Sequence, residues 1–297
     1  MGCSEHRARM ARGIGPLAPS SWASTCEHGP NMSRSGDRFA AEASSSGDAE
    51  GVDSDFHLFL LLGQSNMEGI PSPQAADEVV SPNIFVLGYD DSALPPKRTY
   101  NEWGVAIPPL HSRELGLGPG DYFARAVSAA YPAAKVGLIP CAIAGVDIDF
   151  FRKGVVSARR AEFTIPPDDH WSGAYEWVIE RARLAQRGGV IRGILFHQGE
   201  SNPGESDWVE KVAEMVSDLR SDLNLGKVPF LAGELLHESH CARRHNPLVA
   251  ELPKVIEHAY VISARGLGAL DAVHFDLGAQ RALGQRYAEQ FLAIFAP

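Results

Sequence analysis

The sequence predicts an α/β protein, a three-layer α/β/α sandwich around a central parallel sheet, on three observations. From Asp55 onward, short apolar runs alternate with segments whose apolar residues recur at helical spacing. The first run, Phe56 to Leu62, has the density of apolar side chains that a buried strand needs. Polar clusters containing glycine follow these runs directly, at the edge where open α/β sheets collect their reactive groups.

Each element follows from local composition. Residues 1–50 are rich in Ser, Gly, Ala, Arg and Glu without a sustained apolar period, and are expected to be a disordered leader. The leader lacks the apolar core of a secretory signal, and His6 stands where a myristoylation pattern beginning Met-Gly-Cys wants Ser or Thr. Residues 51–297 are expected to form one domain. Within it Phe56–Leu62, Ile84–Leu87, Lys135–Pro140, Val190–His197 and Val228–Gly233 read as strands, with a last short one at Tyr260–Ser263. Gly120–Tyr131, Gly173–Arg187 and Ser206–Leu223 read as helices, with Pro119 and Pro203 near two of the starts, where a missing N–H costs little. The final helix, Leu277–Phe295, sets Leu283, Tyr287, Phe291 and Phe295 on one face, and Asp276 is placed to cap it.

Composition narrows the partners. The 297 residues are 44% hydrophobic and carry a formal net charge of −10, with no basic stripe, which argues against nucleic acid as a partner. The longest apolar run is too short for a membrane span, so a cytoplasmic location is the default expectation. Cys3, Cys26, Cys141 and Cys241 form no C-x-x-C pair; Cys141, after the run Val136 to Pro140, is expected to be a small buried hydrophobe. No cofactor is expected.

The candidate chemistry begins at Gly63-Gln64-Ser65-Asn66-Met67, which places a serine on the turn that ends a buried strand. A serine hydroxyl is a weak nucleophile until a base takes its proton, and an alternative use of Ser65 is to cap the next helix while Asn66 closes a turn. Met67 stands where a Gly-x-Ser-x-Gly elbow wants glycine, which disfavours the α/β-hydrolase arrangement. After the fourth strand, Gln198 offers an amide to a developing oxyanion, and Glu200 offers a carboxylate to orient a histidine. After the last strand, Asp271 precedes His274 by three residues, so the carboxylate can turn back to Nδ1–H while Nε2 faces the serine. Gly145, after the third strand, allows a backbone N–H to approach substrate closely.

Taken in order, GQSNM at 63–67, PLH at 109–111, GLGPG at 116–120, PCAIAG at 140–145, HQGESN at 197–202 and DAVHF at 271–275 resemble the SGNH-hydrolase superfamily. More narrowly they are similar to its sialate O-acetylesterase-like branch, carbohydrate esterase family six, which includes acetyl xylan esterases. The resemblance implies a flavodoxin-like sandwich and metal-free hydrolysis of acetyl esters on carbohydrate such as acetylated xylan or sialic-acid-type substrates. It implies Ser65 as nucleophile, His274 as base and Asp271 as its partner, with Glu200 as the alternative partner. The oxyanion donors it implies are the N–H groups of Ser65 and Gly145 and the side chain of Gln198. The family's Gly-Gly-Thr/Ser after the third strand is here Ala144-Gly145-Val146, which removes a hydroxyl.

Two rivals come from other classes. A catalytically silent carbohydrate-binding protein could use Trp103, Trp171 and Trp208 for stacking, although core packing is the plainer role for each. A metal-dependent hydrolase would draw on His197, Glu200, His237 or His240, but these offer no recognised ligand spacing.

Overall fold

The computed structural model describes residues 51–93, 97–112, 114–167 and 170–295. The leader, with Cys3, Cys26 and the Met-Gly-Cys start, lies outside the described residues.

Seven strands form one sheet: β1 (Phe56–Gly63), β2 (Ile84–Leu87), β3 (Trp103–Val105), β4 (Lys135–Ala142), β5 (Val190–His197), β6 (Phe230–Gly233) and β7 (Ala259–Ile262). Their spatial order is β3-β2-β4-β1-β5-β6-β7, and every pairing is parallel except that of β2 with β3. The helices are α1 (Ser65–Glu68), α2 (Pro119–Ala130), α3 (Ala174–Ala185), α4 (Trp208–Asp222), α5 (Ala242–Val249), α6 (Leu252–Val255) and α7 (Leu277–Phe295).

β1 lies between β4 and β5 and has apolar cover on both faces, which explains its composition. Its side chains alternate between two cores. Leu58, Leu60 and Leu62 pack with Trp177 and Val178 of α3 and Val212 and Val216 of α4. Phe59 and Leu61 pack with Phe123 and Val127 of α2 and Leu283, Tyr287 and Phe291 of α7. Phe59 meets the rings of Phe123 and Phe291 edge-on at 4.8 and 5.0 Å. Truncating it to alanine would cost about 3–5 kcal/mol.

Taken alone, β1, β4, β5, β6 and β7 have the order 2-1-3-4-5, the flavodoxin-like arrangement. β2 and the antiparallel β3 extend it beyond β4. In this arrangement the chain leaves β1 toward one side of the sheet and later crosses to β5 on the other, opening a crevice at the carboxyl ends of β1 and β5. Gly63 lets the strands close there: its φ is +131°, and a Cβ would stand 2.0 Å from the carbonyl oxygen of His197.

The structure differs from the sequence reading at a few boundaries. β4 runs through Pro140 to Ala142, because β2 pairs only as far as Leu138 and a missing N–H at residue 140 breaks no ladder with it. β6 starts at Phe230 because Val228 closes a turn onto Leu225. Pro119 occupies the start of α2, whereas Pro203 sits in a turn well ahead of α4. β3 and α5 were not foreseen: β3 is three residues with a central glycine, and α5 opens on a polar run, Arg243 to Asn246, with Pro247 inside it. Cys141 and Cys241 are buried, and neither forms a disulfide among the described residues. No described helix is long and apolar enough to cross a membrane.

Candidate active site

Ser65 is the first residue of α1, so its N–H lies outside the helix's own hydrogen-bond ladder. The Gln64 N–H donates to the carbonyl of His197 at 2.9 Å, which ties this turn to the end of β5. His274 arrives from the loop between β7 and α7, 209 residues away. Its Nε2 stands 2.9 Å from Ser65 Oγ, and its Nδ1 stands 2.8 Å from Asp271 Oδ2. A carboxylate only accepts, so Nδ1 carries the proton and Nε2 is left bare toward the serine hydroxyl. Asp271 is itself held: its Oδ1 accepts from the N–H groups of Val273 at 2.9 Å and His274 at 2.8 Å. Partial burial works to raise the Asp271 pKa, but the hydrogen bonds from His274 and these two amides outweigh it and hold the carboxyl below its usual value. It stays charged, as the partner of an imidazolium must be.

Glu200, the other carboxylate singled out from the sequence, takes a different partner. Its Oε1 accepts from Asn66 Nδ2 at 2.6 Å, with both side chains buried. The same Asn66 amide donates to the carbonyl of Val273 at 3.0 Å and accepts from Phe275 N–H at 3.2 Å. Asn66, which the sequence suggested only as a turn closer, therefore grips the peptides on both sides of His274.

Gln198 lies buried in the β1–β5 crevice. Its Oε1 accepts from Trp208 Nε1 at 2.6 Å, and since an indole only donates, the amide orientation follows. Its Nε2 is shared among Asn202 Oδ1, Gln64 Oε1 at 3.3 Å and the Val146 carbonyl at 3.4 Å. Trp208 is fully buried, which assigns it to the core and not to a sugar face. Gly145 adopts φ +79°, and its carbonyl accepts from Ser201 Oγ at 2.8 Å and Arg159 Nη1 at 3.1 Å, which pins the turn after β4. Neither Ser201 nor Arg159 was singled out from the sequence; nothing in their spacing ties them to Gly145.

Two buried histidines support this shelf. His245, at the middle of α5, donates from Nδ1 to the Asn202 carbonyl at 3.0 Å and packs edge-on against Trp208 at 4.3 Å. Burial pushes its pKa down to about 4. His111, of the PLH motif, accepts at Nε2 from the Ala142 N–H at 3.3 Å, and burial pushes it down to about 3. Ala242, His245 and Val249 face inward at helical spacing, a signal that could have revealed α5.

The histidines of the metal-dependent reading take other partners. His197 donates from Nε2 to the Glu234 carbonyl at 3.0 Å, His237 bonds Glu234 Oε2 at 2.9 Å, and His240 lies 3.5 Å from Cys241 Sγ. Among the described residues no group of three His, Cys, Asp or Glu converges as a metal ion would require. Glu234 also accepts from Ser263 Oγ at 2.9 Å and from Ala264 N–H at 3.0 Å.

Residues 55–293 match the family model of carbohydrate esterase, sialic acid-specific acetylesterase. A probable carbohydrate esterase of Arabidopsis thaliana is 27% identical over 261 residues, covering 80% of this chain and 91% of the relative. The X-ray structure of that plant protein aligns with TM-score 0.64 at 25% identity, over 81% of this chain and 99% of its own. NanS aligns with TM-score 0.61 at 17% identity, over 82% and 99% of the two chains. A carbohydrate acetylesterase from Xanthomonas citri aligns with TM-score 0.56 at 18% identity, over 78% of this chain and 55% of that one. The last two likenesses speak to the fold.

Proposed function

The chain belongs to the carbohydrate esterase, sialic acid-specific acetylesterase family, whose members are carboxylic ester hydrolases, and on that premise we propose that it removes O-acetyl groups from carbohydrate through an acetyl-serine intermediate. The observation that carries the reading is the His274 bridge, with Nε2 at 2.9 Å from Ser65 Oγ and Nδ1 at 2.8 Å from Asp271.

In the proposed reaction His274 Nε2 takes the Ser65 proton as Oγ attacks the acetyl carbonyl carbon. Asp271 holds the ring and stabilises the imidazolium. Collapse of the tetrahedral adduct breaks the bond to the sugar oxygen, which leaves as an alcohol carrying the proton from Nε2. Water then gives a proton to Nε2 and attacks the acetyl carbon, and acetate leaves as Ser65 regains its proton.

The N–H groups of Ser65 and Gly145 are assigned to the oxyanion, with Gln198 as the third donor. Its two long bonds, at 3.3 and 3.4 Å, are weak enough to yield to an oxygen that gains full negative charge. A donor that strengthens only as charge develops favours the transition state over bound substrate. Acetylated xylan and sialic-acid-type esters are the candidate substrates. Acetate release from both, and from a simple aryl acetate, should be measured with Ser65→Ala as the blank. Equal release by the two proteins would sink the reading.

A further inference from the structure

Asn66 spends both of its side-chain hydrogens and uses its oxygen as an acceptor. Phe275 N–H requires an acceptor, which makes the atom facing it Oδ1, and the two Nδ2 hydrogens then go to the Val273 carbonyl and to Glu200 Oε1. The other side-chain oxygen, Glu200 Oε2, is buried without a hydrogen-bond partner among the described residues, and so are His197 Nδ1 and His245 Nε2. Each imidazole already donates from its opposite nitrogen to a carbonyl, and burial lowers both pKa values, so both bare nitrogens are acceptors. His197 Nδ1 stands 3.7 Å from Glu200 Oε1, beyond hydrogen-bond reach. The one side-chain hydrogen bond of Glu200 among the described residues is therefore the one to Asn66.

We propose that Glu200 is a positioning residue: through the Asn66 amide it fixes the two peptides that flank His274 against the turn carrying Ser65. This inference rests on the proposed roles of Ser65 and His274. Loss of the Glu200 oxygen frees one buried Asn66 hydrogen and the roll of the amide, and the His274 loop shifts with it. A misplacement near 1 Å between nucleophile and base costs about 10²-fold. What Asn66 requires of residue 200 is an acceptor oxygen, which a glutamine supplies. Its amide nitrogen would stand in place of Oε2, which makes no hydrogen bond among the described residues.

The test is a set of variants, Glu200→Ala, Glu200→Gln, Asn66→Asp and the Asn66→Ala/Glu200→Ala pair with its single Asn66→Ala. Asn66→Asp keeps the side-chain shape and the acceptor for Phe275 but removes both donors. On an aryl acetate, Glu200→Ala and Asn66→Asp should lower kcat by about 10²-fold, with KM within about threefold. Glu200→Gln should recover all but about fivefold of the loss, and the double variant should fall no further than Asn66→Ala alone. Equal losses in Glu200→Gln and Glu200→Ala would instead make the charge itself essential, and multiplying losses in the double variant would show two independent actions. Either result overturns the proposal, as does a change confined to KM.

A second readout is the ring nitrogen shifts of His274 and the low-field resonance of its Nδ1 proton. They should move in Glu200→Ala and Asn66→Asp and return in Glu200→Gln; unmoved resonances overturn the clamp. If the wild type hydrolyses no ester, the functional reading fails, and the resonances still decide the clamp.

Discussion

Two sets of serine, histidine and carboxylate stand at the carboxyl edge of this sheet, and they are wired in different orders. In Ser65–His274–Asp271 the imidazole is in the middle, with one nitrogen for the hydroxyl and the other for the acid. In the second set the acid is in the middle: Glu234 Oε2 accepts from both Ser263 Oγ and His237 Nε2, each at 2.9 Å, and from the Ala264 amide. Burial works to raise the Glu234 pKa, but His237, Ser263 and Ala264 outweigh it and hold the carboxyl below its usual value. A central imidazole can pass a proton from one partner while being steadied by the other. A central carboxylate only collects donors, so the second set braces the loop after β6 to the loop after β7. The same three residue types are arranged to pass a proton or to brace a corner according to which one is central.

The largest expected effect that tests this contrast is at the serines. Ser65→Ala should lower kcat for an aryl acetate by ~10⁶-fold, whereas Ser263→Ala should leave it within about twofold, because only a hydrogen bond to an already satisfied acid is lost. Comparable losses at both would erase the distinction. Next come the acids: Asp271→Asn should cost ~10⁴-fold in kcat by disturbing the His274 tautomer, while Glu234→Gln should show up as a lower thermal midpoint with kcat nearly intact.

Smaller again is Gln198→Ala, expected to cost ~10²–10³-fold in kcat. It should also cost about 1–3 kcal/mol of stability, because it leaves the buried Trp208 N–H without its acceptor. A loss of stability alone would leave Gln198 a brace like Glu234.

The smallest effect is a pH dependence of stability. His245 is neutral in the fold, with a pKa of about 4, and ordinary when unfolded. Between about pH 6.5 and 4 the unfolded chain therefore binds the extra proton. Stability falls as pH falls through that window, by up to about 1.4 kcal/mol per pH unit for this group. Asp121 works in the opposite sense, since burial raises its pKa to about 6 despite Arg125. The clean measurement is the slope difference between wild type and His245→Gln in urea melts at several pH values. Parallel slopes would contradict the buried neutral state of His245.

The sequence carried most of the fold and the close-range half of the site. Ile84–Leu87, Val190–His197 and Leu277–Phe295 coincide with the observed elements because each has one dominant pattern. The Asp271–His274 pair was legible because its two members lie three residues apart in one loop. The choice between Asp271 and Glu200 was not, since it turns on the Asn66–Glu200 bond across 134 residues, and no local spacing encodes such a contact. β3 escaped because a strand of three residues is defined by its partner more than by its own pattern. Gln198 was legible as an amide near the site, but not the three acceptors around it.

The pairing of the first strand with the last helix has a consequence for how this protein comes into being. Phe291 of α7 packs on Phe59 of β1 at 5.0 Å, the Tyr287 hydroxyl donates to the Phe196 carbonyl at 2.8 Å, and the Gln280 amide donates to the Asn66 carbonyl at 3.2 Å. During synthesis the serine leaves the ribosome long before its histidine exists, and β1 waits exposed for the helix that covers it. On the proposed roles, a nascent chain is an inert one. The first cleaved ester would then announce that α7 has been made and has met β1.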